Sequence, residues 1–135
     1  MSEAVSTNVA AGGDKVMQLC ALGVGLWVVG VVSAHLAAPF GAFTAGFAPA
    51  LLIISVPVAW ACVRLIARFG GRTTLLEATA LASTPALLLD GVAFTWLPHL
   101  YSVVETEQRQ AAAWLLWFVG AALAIACVRT ARRSG

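Results

Sequence analysis

Hydrophobic and polar positions along this chain fall into four long apolar runs separated by short segments of glycine, proline and charge. The first run extends from Val16 to Ala37 without a charged residue and stops at Ala37-Ala-Pro-Phe-Gly41, where proline and glycine break helices. The second covers 48–68 and closes on Phe69-Gly-Gly71, with Arg64 and Arg68 in its last turns. The third covers 74–97, from Thr74 to the Trp96-Leu-Pro-His99 segment. A polar stretch with Glu105, Glu107 and Arg109 reads as a loop, and the fourth run covers 111–128. Apolar runs of about 18 or more residues are long enough to cross a bilayer as helices.

The pattern predicts an all-α membrane four-helix bundle: residues 1–14 form a disordered tail, 15–129 the four-span domain, and 130–135 a basic tail. A cleavable signal peptide is the other reading of the first run, but the run exceeds the ~7 to 15 residues of a signal core.

Composition agrees with the pattern. Of the 135 residues, 61% are hydrophobic and 10% charged, too few charges for a water-exposed surface when soluble domains carry roughly 25%. A net charge of +2, with arginines at span ends, gives no basic face for nucleic acid. Lipid is the expected surrounding. With four spans, both chain ends and the middle loop share one side, which holds Lys15, Arg64, Arg68, Arg72, Arg129, Arg132 and Arg133, against Arg109 on the other. The positive-inside rule makes that side cytoplasmic and predicts a multi-pass protein of a bacterial inner membrane. Trp96, Tyr101, Trp114 and Trp117 then fall at the outer interface and Trp60 near the inner one, as aromatic belts do. Cys20, Cys62 and Cys127 lack CxxC spacing and are expected as free thiols.

The chain also echoes itself. Ala59 to Arg68 (AWACVRLIAR) and Ala124 to Arg133 (AIACVRTARR) agree at six positions at an offset of 65, and His35-Leu36 matches His99-Leu100 at 64. The echo suggests a duplicated two-helix hairpin with its halves related about the membrane normal.

Chemistry centres on Asp90, roughly 24 Å along the third helix from Thr74 and so within the hydrocarbon. Intramembrane carboxylates cost about 2.5 to 3.5 kcal/mol by insertion scales and are given a partner or water. Thr79, Ser83, Ala86 and Asp90 share one small, polar stripe at helical spacing that faces the bundle. Two readings follow. Asp90 is either a proton, cation or substrate site, or a carboxyl that hydrogen-bonds a neighbouring helix and fixes its packing. Glu77 has a simpler role, since Thr74-x-x-Glu77 is a capping box.

Pro57 and Pro85 are expected to kink spans two and three near midplane, freeing the carbonyls of Ile53 and Leu81. Paired interruptions occur at transporter binding sites but also in ordinary membrane helices. In span one, Cys20, Gly23, Trp27, Gly30, Ala34 and Ala37 form a groove suited to close helix packing. His35 and His99 share a rim, but two imidazoles are a weak basis for a metal or haem, and neither is expected. No nucleophile elbow, phosphate-binding loop or HExxH is present, so the chain is not expected to be an enzyme.

With these residues placed, Thr84 to Gly91 (TPALLLDG), Phe94 to Tyr101 (FTWLPHLY), Ala111 to Gly120 (AAAWLLWFVG) and, more weakly, Gly25 to Gly30 (GLWVVG) resemble an uncharacterised bacterial family of small four-span membrane proteins. That family carries an FPN-like segment where this chain has LPHLY. The resemblance implies an architecture and no activity. The small multidrug exporters share only chain length and span number, because their essential acid lies in span one. The leading expectation is a small membrane protein acting by helix association, as an accessory subunit or homo-oligomer. The rival is a proton-coupled carrier using Asp90.

Overall fold

The structure is a computed structural model that describes residues 2–71 and 73–134, with side chains described over 13–71 and 73–132. Four helices account for nearly all of it: α1 (Ser2–Ala37), α2 (Ala48–Phe69), α3 (Leu75–Trp96) and α4 (Glu105–Ser134), with 3-10 turns at Ala38–Phe40 and Pro98–Leu100. Each of the four is long and apolar enough to cross a membrane. Every one also exposes large apolar side chains, among them Val29, Ile53, Leu88 and Leu116, each more than 60% exposed. In water such faces would drive association, whereas lipid solvates them.

Helix ends follow from local sequence. Gly41, at φ 76°, turns the chain after the first 3-10 turn, and its N–H donates to the Ala38 carbonyl. At the far end of α2 the Gly70 N–H closes on Ile66 O (2.9 Å) and Gly71 takes the left-handed φ of 60°. Thr74 then opens α3 with a complete capping box: its hydroxyl accepts from the Glu77 N–H (3.2 Å), and the Glu77 carboxylate accepts from the Thr74 N–H (3.0 Å).

Three boundaries depart from the sequence reading. Helix α1 reaches back to Ser2, where residues 1–14 were expected to form a tail. Alanines at 4, 10 and 11 favour helix and extend the span's own hydrogen-bond ladder. Glu105, Glu107 and Arg109 belong to α4 and not to a loop. Two acids suit the positive helix N-terminus, and Arg109 pairs with Glu105 one turn back (2.6 Å). Helix α4 likewise continues through the basic segment expected as a tail, placing cations where the helix dipole favours them.

The packing pairs equivalent segments. Helix α1 lies on α3, α2 on α4, and α3 on α4. Cross-helix contacts climb together, Cys20 with Leu81 and Trp27 with Asp90, so α1 and α3 run parallel. Helices α2 and α4 are also parallel: Trp117 Nε1 donates to Leu52 O (3.1 Å), at the same offset of 65 as the sequence echo. Three small cores form along the bundle. Leu19, Ile66, Ala78 and Ala82 join α1, α2 and α3 at one end. Ala59, Val63, Ala122 and Ala126 fill the α2–α4 seam, joined by Leu75 from the start of α3. Ala34, Phe43, Ala93, Tyr101 and Ala111 close the other end. The prevalence of alanine lets the backbones approach closely, the usual device where lipid gives no hydrophobic drive to helix pairing.

Candidate functional site

Asp90 sits on the buried face of α3, 8% exposed, one turn from Ala93 in the closing core. Two donors converge on its Oδ1. Trp27 Nε1 donates from α1 at 2.7 Å, and the Tyr101 hydroxyl donates from the turn that follows α3. Tyr101 is wholly buried and stacks on Phe94, with ring centroids 4.0 Å apart and planes 8° from parallel. One carboxylate oxygen therefore joins α1, α3 and the α3–α4 connection. Two hydrogen bonds to one oxygen offset part of the cost of holding a carboxyl in hydrocarbon.

The local fold explains how Tyr101 arrives there. Helix α3 ends at Trp96 because Pro98 cannot continue it. The 3-10 turn reverses the chain, with Leu100 N–H on Leu97 O and Tyr101 N–H on Pro98 O, and returns the ring over Phe94. His35 Nδ1 lies 3.2 Å from Leu100 O and ties the same turn to the end of α1. Burial first, then the hydrogen bond donated to Asp90 and the charge of Asp90, push the Tyr101 phenol above its ordinary value. Tyr101 thus stays the donor throughout the physiological range.

The other expected members of the polar stripe do not join this site. Thr79 is fully buried, but its hydroxyl donates to Leu75 O on its own helix (2.7 Å). Ser83 is half-buried, and among the described residues neither it nor Thr79 bonds Asp90. A hydroxyl one turn back in a helix closes most easily on the i−4 carbonyl, which removes it from cross-helix use.

Both prolines lie inside continuous helices. The carbonyl freed by Pro85, that of Leu81, takes the Cys20 thiol at 3.7 Å. At Pro57 the side-chain bonds fall on Leu52 O, one residue before the expected Ile53, and come from Ser55 (2.7 Å) and Trp117 (3.1 Å). At Pro85 the freed carbonyl is thus met by a protein group, as polar backbone in a membrane requires.

Helix α1's groove is partly as expected. Gly23 is the tightest point, because a Cβ there would lie 1.9 Å from the Ala82 carbonyl oxygen. Cys20 and Trp27, one turn to either side, make the hydrogen bonds just described. Gly30 stands apart, with nothing within 4 Å of an added Cβ, and the seam passes instead through Val31 and Ala34. A small cleft of about 50 Å³ lies elsewhere, between α2 and α4, and is lined by Phe43, Leu51, Leu52 and Trp114 among others. Among the described residues no group of three or more His, Cys, Asp or Glu side chains comes together that could hold a metal.

Sequence reasoning placed Tyr101 in the outer aromatic belt and Trp27 as a lone ring in a groove. Neither was assigned to Asp90. The available signal was the Pro98 turn, which sends the next aromatic back over the helix it ends. No family model, no curated protein and no solved structure matches this chain.

Proposed function

We propose that this small multi-pass membrane protein acts through helix association, as an accessory subunit or a homo-oligomer, and that Asp90 is a structural join within each copy. The observation that carries the reading is the convergence of Trp27 and Tyr101 on one Asp90 oxygen. A carboxylate that binds and releases a proton or substrate needs a changing environment and a path to water. Here two aromatic donors from separate elements cover it and leave it 8% exposed.

The placement in lipid follows from the four apolar helices. In this reading the basic end faces the cytoplasm of a bacterial inner membrane, since seven of eight Lys and Arg residues lie there. The likeness of spans three and four to the small four-span family supports the same architecture without adding a reaction. Catalysis has no part in this proposal.

Reconstitution tests it. Asp90→Asn keeps an acceptor oxygen for both donors but cannot cycle a proton. Proteoliposomes holding this variant should match the wild type in proton permeability, measured with an entrapped pH dye, and in the oligomer size seen by crosslinking. A wild-type proton flux that Asp90→Asn abolishes, with folding intact, would establish the carrier reading in its place.

A further inference from the structure

We propose that the basic end of the bundle holds the headgroup of an anionic phospholipid at a saturable site on the α2–α4 seam, with Arg129 as its main contact. The argument begins with unbalanced charge. Lys15, Arg64, Arg68, Arg129 and Arg132 are the described cations at this end, and none forms an ion pair among the described residues. The one ion pair among the described residues, Glu105 with Arg109, lies at the opposite end. Of the acids described near the cations, Glu77 is engaged by the capping box of α3 and Asp14 is exposed. Neither lies within ion-pair distance of a cation at this end.

Two arginines then flank the α2–α4 seam at its basic end. Arg64 follows Val63 by one residue on α2, which runs parallel to α4. Arg129 follows Ala126 by three residues, on the face that packs against Ala59 and Val63. Its Nη1 is buried without a hydrogen-bond partner among the described residues. A buried guanidinium donor is costly to leave unmet, more so than a neutral one. Arg64 lies over the Trp60 ring, 4.3 Å from its centroid, at the interfacial depth where tryptophan settles. Guanidinium groups match phosphate oxygens with paired, directed bonds, and a lipid phosphodiester lies at this depth.

Simple retention of positive charge on one side would also place arginines here, but it treats them as interchangeable. The proposed site does not. Full-length protein in phosphatidylcholine bicelles should gain thermal stability saturably as phosphatidylglycerol is added, and retain that lipid in native mass spectra. Arg129→Gln should weaken the apparent affinity roughly tenfold or more, and Arg129→Lys by an intermediate amount, since it keeps charge without the paired donors. Arg132→Gln, which removes an exposed charge, should weaken it about fivefold at most, the value of one charge in a surface potential. Arg109→Gln should have no effect. Arg64→Gln serves as the second seam variant if Arg129→Gln fails to fold, and should exceed Arg132→Gln. Equal losses at the seam and at Arg132 would overturn the site in favour of diffuse charge. So would equal retention of phosphatidylcholine, or saturation by inorganic phosphate at the same concentration, which would mark a soluble-anion site. None of these outcomes depends on whether Asp90 is a join or a carrier site.

Discussion

Gly23→Ala adds a single methyl group to the α1–α3 seam, and the structure fixes what that group would meet. Its Cβ would stand 1.9 Å from the Ala82 carbonyl oxygen, 2.8 Å from the carbonyl carbon and 3.1 Å from Cα. All three are backbone atoms, so no rotamer change on α3 can make room. Ordinary C–H···O contacts across helix pairs lie at about 3.3 to 3.6 Å, so the helices must part locally by more than about 1 Å. Trp27 lies one turn further along α1, about 6 Å away, and its 2.7 Å bond to Asp90 would stretch with the same movement.

Overpacking of this kind costs about 1 to 3 kcal/mol, and weakening one buried hydrogen bond adds about 1 kcal/mol. The better helix propensity of alanine returns up to about 1 kcal/mol. The net expectation is a loss of roughly 1 to 3 kcal/mol, measured by tryptophan fluorescence during unfolding in mixed micelles. Gly30→Ala is the internal control, because its methyl group would meet nothing within 4 Å and should leave stability unchanged or slightly raised. Adding Ala82→Gly should not rescue Gly23→Ala, since the clash is with backbone. Equal stabilities for Gly23→Ala and Gly30→Ala would refute the close approach of α1 to α3.

The remaining predictions concern the join and the helix ends. Asp90→Ala strands the Trp27 and Tyr101 donors and should cost about 2 to 4 kcal/mol in the same unfolding assay, whereas Asp90→Asn, which still accepts from both, should cost less than half as much. Thr74→Ala removes the capping box of α3 and should lower stability by about 1 kcal/mol, with faster amide exchange confined to the first turn of that helix. Gly71→Ala forces an alanine to φ 60° beside the Lys15 ammonium, and should cost about 1 to 2 kcal/mol by thermal unfolding.

The four spans were legible because each is a long apolar run closed by glycine, proline or a cap, and those signals are local. Asp90 was legible for a related reason, as a lone carboxylate in such a run. Its partners were not. Trp27 lies 63 residues away, and helical periodicity says which face a residue occupies but not which residue stands at its height on another helix. Tyr101 was misplaced because aromatic residues near span ends default to the interface, while the turn at Pro98 folds this one inward. Thr79 and Ser83 share a face with Asp90, yet Thr79 satisfied its hydroxyl on its own helix. The start of α4 was misread because a polar stretch resembles a loop until the Glu105–Arg109 pairing and helix-dipole preferences are weighed together. The echo between the ends of spans two and four paired two segments that do pack on one another as α2 and α4.

The account rests on Asp90 as the point where α1, α3 and the following turn are held together. A double-mutant cycle of Trp27→Phe and Asp90→Ala, read as unfolding free energy in micelles, tests that most directly. Groups in direct contact couple, whereas groups far apart add. The account predicts a coupling of about 1 to 2 kcal/mol, with Trp27→Phe nearly silent once Asp90 is gone. Strict additivity of the two substitutions would contradict it.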